Sequence, residues 1–396
     1  MDEIVILSAA RTPVGSFQGT LKEVPATTLG ARVLAGACER AGVAPSDLEQ
    51  VYMGCVLTAG LGQAPARQAA LGAGCSPATG AVTVGKVCGS AMRAIMTAAN
   101  DLRCGDFGLV AAGGMESMSR SPYLAPGVRD GLRLGHGRLV DSTIHDGLWD
   151  PYNDIHMGSC AELCAAEYGF SREEQDAFAL ESYRRARQAT ERGAAGREIV
   201  AVEVPGRKGA VQVVDRDEEP FRADLEKMGR LRPAFKEEGT VTAANASKIN
   251  DGAAALVLAT AARARELGRP PLARVVAQAS AAQAPEWFTT APAKAVAGAL
   301  ERAGLAPSDI DLWEVNEAFA VVALAFLRDL GLDAERVNVR GGAVALGHPI
   351  GASGARIVVT LLDAMRERGA RLGCATICIG GGESTALVVE RVAAAR

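Results

Sequence analysis

A nine-residue phrase occurs twice in this chain, and that repetition limits the folds open to it more than any other feature. ERAGVAPSD at residues 39–47 returns as ERAGLAPSD at residues 301–309, eight of nine positions identical and 262 residues apart. A second phrase, Gly113-Gly114-Met115-Glu116-Ser117, is echoed by Gly380-Gly381-Gly382-Glu383-Ser384, 267 residues further on. Two matches in the same order at nearly equal spacing point to two copies of one unit. The 396 residues are also long for a single core, which suggests two domains and an inserted third.

Each copy follows a strand–helix–strand rhythm. Residues 4–7 form a short apolar run, as expected of a strand covered on both faces. Residues 82–87 alternate and predict a strand that runs into Cys88-Gly89-Ser90. From there Met92, Ile95, Met96, Ala99 and Leu102 recur at helical spacing until Gly105, and a strand over 107–112 ends in Gly113-Gly114. In the second copy Gly347 to Gly354 leads into a helix with Ile357, Val358, Leu361, Leu362 and Met365 on one stripe. Gly369 ends it, and a strand over 374–379 follows. Two α/β layers of like build fit this pattern. Between the copies the sequence changes character: 119–157 is rich in Gly, Pro, Asp and Arg, and 205–240 is polar and irregular. Between these stretches Ser171 and Glu174 form a capping box for a helix that Gly193 ends. A long irregular insertion in a compact enzyme usually serves ligand binding.

Bulk properties exclude several function classes. No apolar run approaches the roughly eighteen residues of a membrane span, and the acidic start before a short apolar run is unlike a secretory signal. A net charge of −4 argues against a nucleic-acid surface. Nine cysteines, none in a C-x-x-C pair, and four histidines give no zinc spacing, so no metal is expected. Reduced thiols and a cytoplasmic location are the natural reading.

Cys88 stands where a strand hands over to a helix. Backbone N–H groups and the helix dipole at such a point favour a thiolate and predict a lowered thiol pKa, although free cysteines are commonly just buried. The repeat spacing maps Cys88 onto residues 350–355, next to His348 in GHPIGASG. If the copies pack about a pseudo-dyad, a sulfur and an imidazole from equivalent turns become candidates for a nucleophile–base pair. Cys378 lies in an apolar strand, where core filling is the simpler reading. The glycines after it do not open a helix as a dinucleotide fingerprint does, but could offer N–H groups to an oxyanion. Asn316 follows a short strand and could equally cap a helix.

Four blocks together resemble the signatures of the thiolase family: VCGSAMRA at 87–94, NEAF at 316–319, GGAVALGHPIGASG at 341–354 and CIGGG at 378–382. The likeness spans the whole chain, from Ala10-Arg11-Thr12-Pro13 to the last strand. It implies a layered αβαβα fold of duplicated halves, residues 1–118 with about 250–271 forming one, 272–396 the other, and 119–249 an inserted coenzyme A-binding loop domain. It implies that Cys88 carries the acyl group, that His348 takes its proton, and that Cys378 exchanges a proton with the α-carbon of a second thioester. One oxyanion site would consist of His348 with a water held by Asn316, the other of backbone N–H groups at Cys88 and Gly380. Substrate contacts would come from Leu148, His156, Met157, Arg222, Leu231, Phe235, Ala243, Ser247, Phe288, Ala318 and Phe319. Lys227, Arg230, Arg232 and Lys236 give their stretch a positive balance suited to phosphates. No cofactor is implied beyond coenzyme A thioesters as substrates, and a homotetramer or homodimer is.

The chain also departs from the family pattern. Arg340 and Gly85 stand at usual asparagines, Cys160 at a usual threonine, Trp287-Phe288 where short-chain members often carry methionine, and Glu383-Ser384-Thr385 in place of the more usual apolar or Gln-containing versions. None is among the four reacting side chains, and they bear on acyl length. Met157 and residues 146–150 resemble the short-chain branch that joins two acetyl groups. A broad-range 3-ketoacyl-CoA thiolase is the near alternative and a ketoacyl synthase a distant one. From other classes, a non-catalytic acyl-CoA- or lipid-binding relative would lack a reacting group, and a redox sensor would need a resolving cysteine.

Overall fold

The computed structural model describes residues 3–206 and 210–392; residues 207–209, within the stretch expected to be irregular, lie outside the described residues. The repeated phrase takes the same shape in both places. The helices Ala26–Ala41 and Ala291–Ala303 each stop at a left-handed glycine, Gly42 and Gly304, both at φ 66°. In the turns that follow, Asp47 accepts from the Ala44 N–H at 3.0 Å and Asp309 from the Ala306 N–H at 2.8 Å. Each turn then delivers the chain to a strand edge.

Nine strands form the main sheet with one further short segment, Gly15–Ser16. The first copy supplies β1 (Ile4–Arg11), β2 (Gln50–Gly54), β3 (Gly80–Val84), β4 (Leu109–Ser117) and β5 (Asn250–Thr260). The second supplies β6 (Ala273–Ala282), β7 (Leu312–Val315), β8 (Leu372–Ile379) and β9 (Glu383–Arg391). Their order is β7-β8-β9-β6-β1-β5-β4-β2-β3. Read outward from the β6–β1 seam, each half runs first strand, last strand, penultimate strand, second strand. In the second copy the outermost strand is reduced to a single bridge, Trp313 to Val337. Register breaks also match: β1 slips against β5 between Ile6 and Ser8, and β6 against β9 between Val275 and Ala277. The two half-sheets are joined by two residue pairs, Val5–Arg274 and Ile6–Ala273.

Alternating apolar side chains serve both faces of each half-sheet. One face of the first half packs on the helices Ala26–Ala41 and Pro65–Gly72, and one face of the second on Ala291–Ala303 and Ala320–Leu330. Between the half-sheets lie Ser90–Cys104 and Ser353–Arg368, the two central helices. Five layers result, helix–sheet–helix–sheet–helix. The central helices approach closely because glycine lines their contact: a Cβ on Gly354 would lie 2.5 Å from the Met92 nitrogen, and one on Gly114 would lie 2.0 Å from the Gly351 carbonyl. Both end where expected, at left-handed Gly105 and Gly369.

The chain leaves the sheet after Ser117 and returns at Asn250. Residues 119–156 contain only two-residue strands and short helical turns, and a helix, Met157–Tyr168, follows. The helix Arg172–Glu191 starts at the Ser171–Glu174 capping box, with reciprocal bonds of 3.1 and 2.7 Å. Among the described residues no helix is long and apolar enough to cross a membrane.

Candidate active site

Each central helix is preceded by a turn that carries chemistry. β3 ends at Val84, three residues short of its expected end, because the backbone reverses sharply before the helix. Val87 sits at φ 43°, an unfavourable value for a β-branched residue, and Lys86 bridges Cys88 across the turn. Ser90 Oγ accepts from the Lys86 N–H at 2.8 Å and donates to the Val87 carbonyl at 2.7 Å, which holds the reversal. Cys88 therefore projects from the turn toward the second half. Opposite it, Gly347 at φ 102° sets the turn that presents His348, whose N–H donates to Asn250 at 2.9 Å.

Cys88, His348 and Gly380 line one cavity of about 290 Å³. The backbone N–H groups of Gly380 and of Cys88 itself are directed at the Cys88 sulfur. Cys378 and Asn316 are fully buried and do not line the cavity. They stand behind its wall: Cys378 is near enough to Cys88 for that sulfur to oppose its ionisation, while the Ala318 N–H favours its thiolate. Asn316 Nδ2 lies 3.5 Å from His348 Nε2, and Asn316 Oδ1 is buried without a hydrogen-bond partner.

The protonation state at Cys88 differs from the sequence expectation. Burial pushes the thiol up to about 11 despite two N–H groups that favour the thiolate. The residue's exposed surface faces the cavity, so the dipole of one helix start does not replace lost hydration. His348 moves the other way, to about 3, through burial and then the nearby Arg356 cation. At neutral pH the pair is thus thiol and neutral imidazole. The imidazole tautomer follows from Ser353, whose single hydroxyl hydrogen goes to the Pro349 carbonyl at 3.0 Å. Its oxygen, 2.6 Å from His348 Nδ1, must then accept. Nδ1 carries the hydrogen, and Nε2 keeps its lone pair toward the reacting side.

Nine of the expected substrate contacts line this cavity: Leu148, His156, Met157, Phe235, Ala243, Ser247, Phe288, Ala318 and Phe319. His156 accepts from the Gly158 N–H at 3.0 Å and stacks on Phe235 at 4.8 Å, and Phe319 sets its ring edge-on to both Phe235 and Phe288. The remaining two, Arg222 and Leu231, line a neighbouring cavity of about 570 Å³ that shares Ala243, Lys248 and Ile249 with the first. Lys227 lines that outer cavity as well, paired with Asp224. Arg222 is held by Glu218 at 2.8 Å.

Three contributors escaped the sequence reading. Ser353 lies inside the GHPIGASG block, five residues after the histidine it orients. Lys248 follows Ser247 directly. Glu116, fully buried, accepts from the N–H groups of Val56, Leu57 and Gly351 and so ties the first half to the histidine turn. Its place in the repeated Gly-Gly phrase was the available signal.

The departures from the family pattern fall outside the reacting centre, apart from Phe288 in the cavity wall. Arg340 joins a buried cluster with Glu198 and Asp363, both at 2.7 Å, and with Glu367. Glu383 pairs with Lys86 on the nucleophile turn. Cys160 is core. Nothing in the structure explains Gly85, where an added Cβ would meet open space. Among the described residues no group of acidic, histidine and cysteine side chains is arranged to hold a metal ion.

Residues 4–262 match the model of the thiolase N-terminal domain, and residues 269–391 that of the thiolase C-terminal domain. The chain is 51% identical over 392 residues to an acetyl-CoA acetyltransferase of Pseudomonas aeruginosa, covering 99% of this chain and all of the relative. It is 52% identical to that of Cupriavidus necator over the same shares, and 50% to that of Schizosaccharomyces pombe over 98% of this chain and 99% of the relative. A crystal structure of Acat5 thiolase from Ascaris suum in complex with coenzyme A superposes with a TM-score of 0.94 at 46% identity, covering 98% of this chain and all of that one. The chain belongs to the thiolase family.

Proposed function

We propose that this enzyme is an acetyl-CoA acetyltransferase, interconverting two acetyl-CoA with acetoacetyl-CoA and coenzyme A through an acyl group carried on Cys88. One observation carries the reading: Cys88, His348 and the Gly380 N–H share one cavity, with Cys378 and Asn316 directly behind them. The relatives at about half identity, all named for the acetyl reaction, favour it over a broad-range thiolase.

A neutral thiol–imidazole pair suits an apolar cavity, because no charge is held there before substrate arrives. As the Cys88 sulfur bonds to the thioester carbon, its proton moves to His348 Nε2. The carbonyl oxygen of the resulting acyl-cysteine, two bonds from a sulfur on which two N–H groups act, falls to the Gly380 and Cys88 amides. The departing coenzyme A thiolate takes the Cys378 proton, so Cys378 becomes a thiolate only when a base is needed. It then removes the α-proton of the second acetyl-CoA. The His348 imidazolium and a water held by Asn316 Oδ1 oppose the enolate charge; a single donor of this kind is worth on the order of 100- to 1000-fold in rate. When the enolate carbon displaces Cys88 from the acyl group, His348 returns the proton and every group is restored.

The same reading makes coenzyme A thioesters the only small molecules required and no resident cofactor. A reducing, cytoplasmic setting is supported by nine cysteines that are all unpaired. A homotetramer or homodimer is part of the proposal through family likeness. Thiolysis rates across 3-ketoacyl-CoA chain lengths test it. The four-carbon substrate should be preferred, with kcat/KM falling as the chain lengthens; a profile that is flat or rises with length would replace the acetyl reading with the broad-range one.

A further inference from the structure

Lys248 lies on the boundary between the two cavities and lines both. Its Nζ donates to the Ala246 carbonyl at 3.1 Å and to the Val344 carbonyl at 2.8 Å, and it stands 5.1 Å above the centre of the Tyr183 ring. Glu219 and Glu317 are the carboxylates whose field favours its charge. Two carbonyl dipoles and an aromatic face form a small cation cage in the field of two acids, and this side chain fills it from within.

The partners belong to different segments. Ala246 and Ser247 sit on the cavity-lining stretch of residues 242–249, whereas Val344 belongs to the short helix Ala343–Leu346 that leads to His348. Glu317 also accepts from the Val344 N–H at 3.2 Å, so the helix is held from both ends of one peptide group's neighbourhood. Residue 248 is thus the joint between the substrate-facing wall and the histidine support. Burial lowers its ammonium to about 8, which leaves it mostly charged at neutral pH.

We propose that the Lys248 ammonium is a built-in cation that fixes the 242–249 wall against the 343–348 segment, and thereby sets affinity for the coenzyme A arm more than the rate of the chemical steps. This rests on the thiolase reading for its substrate. Lys248 is a positioning residue: it acts through the wall it holds.

The test measures steady-state constants with acetoacetyl-CoA and, separately, calorimetric binding of free coenzyme A. Lys248→Ala should raise KM and Kd on the order of tenfold, since two carbonyls lose their donor, with kcat within about threefold of the parent. Ammonium chloride, small enough to enter the emptied cage, should restore both constants; choline chloride at equal ionic strength should not. Unchanged constants, a loss confined to kcat, or equal restoration by choline overturns the proposal. Should Lys248→Ala melt too low to assay, Lys248→Gln carries the test, because it keeps a donor without the charge. A weakened Kd there supports the cation, and a parental Kd overturns it. A parent that binds coenzyme A but leaves acetoacetyl-CoA intact would instead remove the functional reading, with the clamp still judged by Kd.

Discussion

The two sulfurs at the centre of this protein differ in burial and in surroundings, and this divides their work. Cys88 faces the cavity under two N–H groups, whereas Cys378 is enclosed and held as a thiol well above its ordinary range. Substitution should separate them. Cys88→Ala is expected to abolish acyl-enzyme, read as no added acetyl mass after incubation with acetoacetyl-CoA. Cys378→Ala should still take up acetyl from acetyl-CoA while carbon–carbon bond formation falls by at least about 1000-fold, the usual scale for losing a positioned base. An acetylated Cys88→Ala protein, or near-parental condensation by Cys378→Ala, would reassign the roles. Both sulfurs were legible in the sequence through their motifs. The direction of the Cys88 shift was not, because it is set by burial in the folded cavity, which a local helix-start argument leaves out.

Elements were legible to the extent that their signals are local. Helix ends at Gly105 and Gly369 and the Ser171–Glu174 cap were readable because each lies within one turn of its cause. β3 was read too long since alternation continues through Val87, and nothing nearby announces that this residue takes a left-handed backbone. β4 was read too short for the opposite reason: Gly113-Gly114 looks like a stop, yet the strand runs through to Ser117. There the glycines serve contact. A Cβ on Gly113 would meet the Ala254 carbonyl at 2.0 Å, and one on Gly114 would meet both Gly351 and Ala91. Gly114→Ala should accordingly push the histidine turn away from the first central helix and destabilise the protein by about 1–3 kcal/mol or more. Urea denaturation checks it, and an unchanged midpoint would show that the two turns are less tightly coupled than the packing indicates.

For the molecule as a whole, pH reaches the core through buried acids. Desolvation raises Glu116 to about 7 and Glu314 to about 8, from an ordinary 4.5. Glu314 has both oxygens without a hydrogen-bond partner, and a 3.5 Å ion pair with Arg356 and the field of Arg340 offset its burial only in part. A raised carboxyl keeps in the folded state a proton that the unfolded chain has already lost. Stability from this source is therefore complete below pH 4.5 and is lost as pH rises through the folded values. Unfolding free energy should decline from about pH 5 to about pH 8, and Glu314→Gln should flatten the upper part of that decline. A parent whose stability climbs over this interval, or a variant with the parental slope, would contradict the assignment.

The matching strand order of the two halves has a chemical consequence. Two identical subunits related by a dyad must carry the same residues at both equivalent turns, so any sulfur–imidazole pair between them would be present twice. Joined in one polypeptide, the equivalent turns are free to differ, and here one carries the nucleophile while the other carries its proton acceptor. Covalent linkage of the copies is what permits symmetry to be broken at the one place where the reaction needs unequal partners.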